Sequence, residues 1–180
     1  TADELKESIF QAHERADTIG VLSTIIENHD EPRGVSHYIA EGPVNDTSKK
    51  ALGTIQVLRK GIPFIYQGQE IGMENQVFES VEDFDDIATI NGYHVAKEAG
   101  LSEEEALAAI ANYSRDNART PMQWSAEPGL GFSDGTAWLI SPKPNVAINV
   151  KDQEKDPNSI LNYYRQLTAL YRHPLYGNTI

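Results

Sequence analysis

The run Val21-Leu22-Ser23-Thr24-Ile25-Ile26 is apolar and β-branched, the composition of a buried strand. Glu27-Asn28-His29-Asp30-Glu31-Pro32-Arg33 follows at once. Pro32 has no N–H to give a ladder, so the strand cannot continue as a central one. A strand that ends abruptly in Asn-His-Asp is how an α/β enzyme presents ionisable groups at the carboxyl end of its sheet. Taken alone, the three residues are more simply a capped turn, with Asn28 and Asp30 bonded to their own backbone. The rest of the chain decides between the two.

Charge narrows the partners. The 180 residues carry 15 Lys and Arg against 27 Asp and Glu, a formal net charge of -12. Nucleic-acid phosphates and anionic membranes both select basic surfaces, so neither is expected as a partner. The chain has no Cys, which removes disulfides and thiolate metal sites and fits a reducing compartment. No apolar run approaches the roughly 20 residues of a membrane span. No signal peptide is visible ahead of the first helix, and a cytoplasmic location is the expectation.

Thr1-Ala2-Asp3-Glu4 has capping-box spacing, and Leu5, Ile9, Ala12 and Ala16 recur at helical intervals, which predicts an amphipathic helix over 2–16. Residues 34–46 read as a polar loop. Asp46 or Thr47 caps a helix with Ala51, Ile55 and Leu58 on one face, and Gly61 marks its end. Ile62-Pro63-Phe64-Ile65-Tyr66 is a second buried strand. Strand–helix–strand is the unit of a parallel sheet. The second strand runs into Gln67-Gly68-Gln69-Glu70-Ile71-Gly72-Met73, again polar at its carboxyl end.

A long excursion follows. A helical pattern starts at Ser80 with Asp83 and carries Phe84, Ile87 and Ile90 on to about Ala99, where Gly100 breaks it. Ser102-Glu103-Glu104-Glu105 is another capping box; its acidic run complements the helix dipole and needs no other role. Residues 125–156 read as an irregular loop with room for a short hairpin. Asp156-Pro157 predicts the N-cap of the last helix, carrying Ile160, Leu161, Tyr164, Leu167 and Tyr171 and stopped by His173-Pro174.

Within the excursion, Arg115-Asp116-Asn117-Ala118-Arg119 places two guanidiniums and a carboxylate beside Tyr113 and Trp124. Arg is a planar fork suited to carboxylates and paired hydroxyls. An ion-pair knot pinning a long loop uses the same residues, and Trp124 by itself is expected in the core.

Four motifs now stand in order: the 27–33 cluster; Tyr66 through Met73; Ser114-Arg115-Asp116-Asn117-Ala118-Arg119-Thr120-Pro121-Met122-Gln123-Trp124; and Asp156-Pro157-Asn158-Ser159-Ile160-Leu161-Asn162-Tyr163-Tyr164-Arg165. Together they resemble the α-amylase superfamily, glycoside hydrolase family 13. Closest is its branch of oligo-1,6-glucosidases, dextran glucosidases and trehalose-6-phosphate hydrolases. The resemblance covers essentially the whole chain.

It implies an α/β fold, the C-terminal portion of a (β/α)8 barrel, mostly helical with about two parallel strands. Residues 1–180 would form a partial catalytic domain holding the seventh and eighth strand–helix units, with an insertion over 78–156. The family hydrolyses α-glucosidic bonds with retention, using a nucleophile and a general acid about 5–5.5 Å apart. Both lie after earlier strands that are not in these residues. Asp30 matches the third carboxylate, which binds sugar hydroxyls, and His29 its neighbour on the sugar. Arg119 matches the residue that anchors the terminal glucose, and Arg33, grouped with it, would brace the loop. The expected parent is an exo-α-glucosidase of α-1,6-linked oligosaccharides without a cofactor. By itself the chain is expected to be inactive, and either to self-associate or to pair with missing barrel segments.

Two other classes compete. One is a non-catalytic carbohydrate-binding module derived from such an enzyme. The other is a metal-dependent hydrolase built on His29, Asp30 and His37, which lacks any His-Glu-x-x-His motif.

Overall fold

A computed structural model describes residues 2–39 and 43–177. The predicted capping residue Thr1 and part of the predicted 34–46 loop lie outside them. Helix α1 covers Ala2–Ala16, as its periodicity predicts. Strand β1 is Ser23–Ile25 and β2 is Ile62–Phe64, both shorter than the apolar runs that contain them. They pair in parallel, with Ser23 opposite Ile62 and Ile25 opposite Phe64.

Between them lie α2, Gly34–Tyr38, and α3, Asp46–Val57. The α2 turn corrects the reading of 34–46 as loop throughout. Asn45, not Asp46 or Thr47, caps α3, in a reciprocal box with Ser48. The buried face of α3 is also not the predicted one: Lys49, Gly53, Gln56 and Val57 turn inward, while Ala51 and Ile55 are exposed. Gln56 explains the difference. Its amide donates to the carbonyls of Thr24 at 3.1 Å and Phe64 at 2.8 Å, so one polar side chain fastens the helix to both strands. Burial follows satisfied hydrogen bonds here rather than apolarity alone.

Neither strand is buried on both faces. Thr24 faces α3, whereas Val21, Ile25, Ile62 and Phe64 are between 45% and 54% exposed on the side away from it. A parallel sheet normally has both faces covered.

After β2, a 3-10 turn at Gln69–Ile71 leads into the excursion. The predicted helix from Ser80 is divided: a capped 3-10 turn at Val81–Asp83, then α4, Ile87–Glu98, capped by Asp86. The Ser102–Glu105 capping box forms and starts α5, Glu103–Ala111. Next come α6, Asp116–Arg119, and α7, Val150–Gln153, with no hairpin between them among the described residues. The last long helix, α8, is Ile160–Tyr171; its cap is Ser159, with Pro157 outside the helix. A short α9, Pro174–Gly177, follows. Val57, Ile160, Tyr164 and Leu167 join α3 to α8; Ile71, Met73, Met122 and Leu161 extend that core, and Phe78, Phe84 and Leu139 hold the excursion.

Candidate functional site

The loop after β1 turns on Asn28, whose side-chain oxygen accepts from the Asp30 backbone N–H at 2.7 Å. The capped turn and the presented carboxylate are therefore the same structure: Asn28 caps, and the Asp30 side chain, 54% exposed, is left for other partners.

Those partners come from the excursion. Helix α6 has only four residues, too few to hold itself, and buried side chains fix it. Asp116 Oδ2 accepts from the backbone N–H groups of Asp85 and Asp86, both at 2.8 Å. Asn117 donates to the carbonyls of Ala111 and Ser114 and accepts from the Gln76 N–H. Arg119, at the end of α6, donates through Nη2 to Asp30 Oδ1 at 3.2 Å and through Nε to the His29 carbonyl at 2.9 Å. Asp30 and Arg119 thus occupy one face, where the resemblance places them.

Arg115 is the residue to which sequence reasoning gave no role of its own. Its Nη1 reaches the same Asp30 oxygen at 3.4 Å, while Nε and Nη2 grip the buried Asp86 carboxylate. The hydrogen bond from Arg115 holds the Asp86 carboxyl down at about 2, against the opposing effect of burial. Arg115 is the more exposed of the two guanidiniums, at 38% against 21% for Arg119. Two Arg in five residues was the available signal; that both reach Asp30 is a product of the fold.

Asp30 Oδ1 is therefore shared by two guanidiniums. Oδ2 faces His29 Nε2 at 3.3 Å, and the His29 ring is 71% exposed. The result is an open cradle with one acceptor carboxylate, one imidazole and two fixed donor forks, which matches the diol pattern of a sugar edge. Exposed Tyr113 and Trp124 stand on the same excursion; Trp124 is not in the core, contrary to expectation.

Arg33 is not on this surface. It is fully buried and binds Glu27, the carbonyls of Gln67 and Asn117, and Met73, so it braces the loop and does not present itself to a substrate. His37 lies on α2 with its ring edge-on to Tyr38 at 4.8 Å. Among the described residues no three His, Asp or Glu are gathered to hold a metal ion, and no helix is long and apolar enough to cross a membrane.

Residues 1–175 match the family model described as the alpha amylase catalytic domain. The oligo-1,6-glucosidase of Halalkalibacterium halodurans is 44% identical over 167 residues, covering 93% of this chain and 30% of that protein. The trehalose-6-phosphate hydrolase of Bacillus subtilis is 39% identical over 143 residues, covering 79% of this chain and 26% of that protein. Among solved structures, the trehalulose synthase MutB from Pseudomonas mesoacidophila MX-45 superposes with a TM-score of 0.86 at 36% identity, covering 97% of this chain and 32% of that one. The chain spans less than a third of the length of each of these relatives. The architecture is that of the C-terminal portion of a (β/α)8 barrel.

Proposed function

The chain belongs to the alpha-amylase catalytic-domain family, and from that premise we propose that the intact protein is a retaining exo-α-glucosidase of α-1,6-linked gluco-oligosaccharides. The reading rests on one observation: an exposed carboxylate, Asp30, held between two guanidiniums at the carboxyl end of a barrel strand. The oligo-1,6-glucosidases among its relatives support the linkage.

In this reading Asp30 accepts hydrogen bonds from a pair of hydroxyls on the terminal glucose. As the ring approaches an oxocarbenium ion its hydroxyls become more acidic, so those bonds strengthen in the transition state and lower the barrier. His29 donates from Nε2 to a neighbouring hydroxyl. Arg119, fixed by the His29 carbonyl, and Arg115, fixed by Asp86, anchor the same sugar. The nucleophile and the general acid come from barrel strands outside these 180 residues, so the chain by itself is expected not to turn over substrate.

Glucose release by the intact protein tests the reading, with anomers followed by NMR. Isomaltose is expected to be cleaved faster than maltose or trehalose 6-phosphate, with α-glucose appearing first. A folded intact protein that releases no glucose from any of the three overturns it.

A further inference from the structure

Arg33 lies three residues after Asp30 and is completely buried, with its charge answered by one carboxylate, Glu27 Oε2, at 3.2 Å. Nothing about stability demands such a pair, because buried ion pairs are often matched or exceeded by apolar residues of similar volume. What the guanidinium does is join chain segments. Nη1 also donates to the Gln67 carbonyl at 2.6 Å, just beyond β2, and Nε donates to the Asn117 carbonyl at 3.3 Å, in α6. The Arg33 backbone N–H reaches Asn75 Oδ1 at 2.9 Å, and Asn75 in turn donates to the Asn112 carbonyl at 3.0 Å. The guanidinium carbon stands 5.6 Å from the centre of the Tyr66 ring, and the Tyr66 hydroxyl donates to the Ala118 carbonyl at 3.1 Å. Gly68 completes the slot: it has φ +88°, and a Cβ there would sit 3.0 Å from Arg33 Nη1 and 2.5 Å from Met73 Sδ.

One planar group thus ties the loop that carries Asp30, the end of β2 and the helix that carries Arg119. Asn117 is two residues before Arg119, so the placement of each cradle arm passes through Arg33.

We propose that Arg33, oriented by Glu27, is the positioning residue that sets Asp30 against Arg119 for the sugar. This rests on the sugar-cradle reading above. A lysine would keep the charge, but its single ammonium cannot span Glu27, Gln67 and Asn117 in one plane.

The test is a double-mutant cycle in the intact protein on isomaltose, with thermal unfolding measured for every variant. Arg33→Lys is expected to lower kcat by about 100-fold while KM is nearly unchanged, the size of effect that follows from small misplacement of a reacting group. Combined with Arg119→Ala it is expected to lose no more than Arg119→Ala alone, because both changes disable one unit. Losses that multiply, or an Arg33→Lys protein with a lowered unfolding temperature and normal kcat, would show that the pair is merely structural. If Arg33→Lys does not fold, Glu27→Gln, which keeps shape and removes the charge, enters the same cycle at about pH 8, where the Glu27 carboxyl, raised to about 7, is ionised, with the same outcomes expected. An inactive wild type would sink the underlying reading; an active wild type with multiplying losses sinks only the positioning role.

Discussion

Arg119 Nη2 meets Asp30 Oδ1 at 3.2 Å across 89 positions of sequence, and Arg119 Nε closes on the His29 carbonyl one residue earlier. The guanidinium fixes one carboxylate oxygen and the backbone beside it, which leaves the second oxygen, beside His29 Nε2 at 3.3 Å, to meet a hydroxyl. The two residues therefore act as a single acceptor–donor pair, and the expectations for substitution follow from that division.

Asp30→Asn in the intact protein keeps the loop, since the capping bond uses the Asp30 backbone and not its carboxylate. The amide offers one acceptor where the carboxylate offered two. Loss of a charge-assisted contact that strengthens in the transition state is expected to raise the barrier by about 2.7–4 kcal/mol, by analogy with removal of an oxyanion-hole donor. Steady-state kinetics on isomaltose should show the loss in kcat. A raised KM with normal kcat would mean that Asp30 supplies uniform binding.

Two buried carboxyls set opposite limbs of the stability–pH profile. Asp86 has its pKa depressed to about 2, so its contribution is present above the ordinary value near 3.8 and disappears as pH falls through 2. Burial raises Glu27 to about 7, outweighing Arg33, so its contribution is present below 4.5 and is lost as pH rises through 7. From these two groups, unfolding temperature should be highest between about pH 4 and 4.5 and fall on both sides. Calorimetry across pH 2–8 checks this: Asp86→Asn should flatten the acid limb and Glu27→Gln the neutral one.

Gly53 sits inside α3, where alanine is intrinsically better by about 1 kcal/mol. Gly53→Ala should nevertheless destabilise, because a Cβ would fall 2.8 Å from Cζ and the hydroxyl oxygen of Tyr164, in the packing of α3 on α8. Tyr164 cannot swing aside freely, since its hydroxyl accepts from Gln69 Nε2 at 2.9 Å. Overpacking of this kind costs about 1–3 kcal/mol. Denaturant unfolding of the alanine variant, with and without Tyr164→Phe, should show a loss that the second change partly relieves. A stabilised Gly53→Ala protein would contradict the contact.

How far the fold could be read beforehand depended on whether the signal was local. The 2–16 helix and the Ser102–Glu105 box are decided within a few residues, and both form. The polar cluster ending the first apolar run also announced the end of the strand at which Asp30 is presented, while Arg119 was placed beside it only by the family resemblance. What local signals could not show was where buried polar groups find partners. Gln56 faces inward because two strand carbonyls need a donor, and this rotates α3 away from its apolar stripe. Ser159 displaces Asp156 as the α8 cap, accepting from the Asn162 N–H while its own hydroxyl donates to the Gln153 carbonyl, a contact made by the fold of α7. The resemblance singled out Arg119 alone, and the part of Arg115 emerged only once Asp86 was placed beside it.

The last expectation concerns the 180-residue chain in isolation. Val21, Ile25, Ile62 and Phe64 form an apolar strip on the sheet face opposite α3, with Ile25 and Phe64 in register. Both strands also have an unpaired edge among the described residues, a template for pairing with another chain. The net charge of -12 opposes association, but surface repulsion is screened within about 8 Å at physiological salt. Burial of each large apolar side chain contributes about 1.5–3 kcal/mol, so covering the strip should prevail. The chain is expected to self-associate, and Ile25→Lys with Phe64→Lys should shift it toward monomer without loss of helix, since neither side chain packs against α3. Light scattering and circular dichroism measure both. A monodisperse 20.0 kDa species at physiological salt would show that this face is stable in water uncovered.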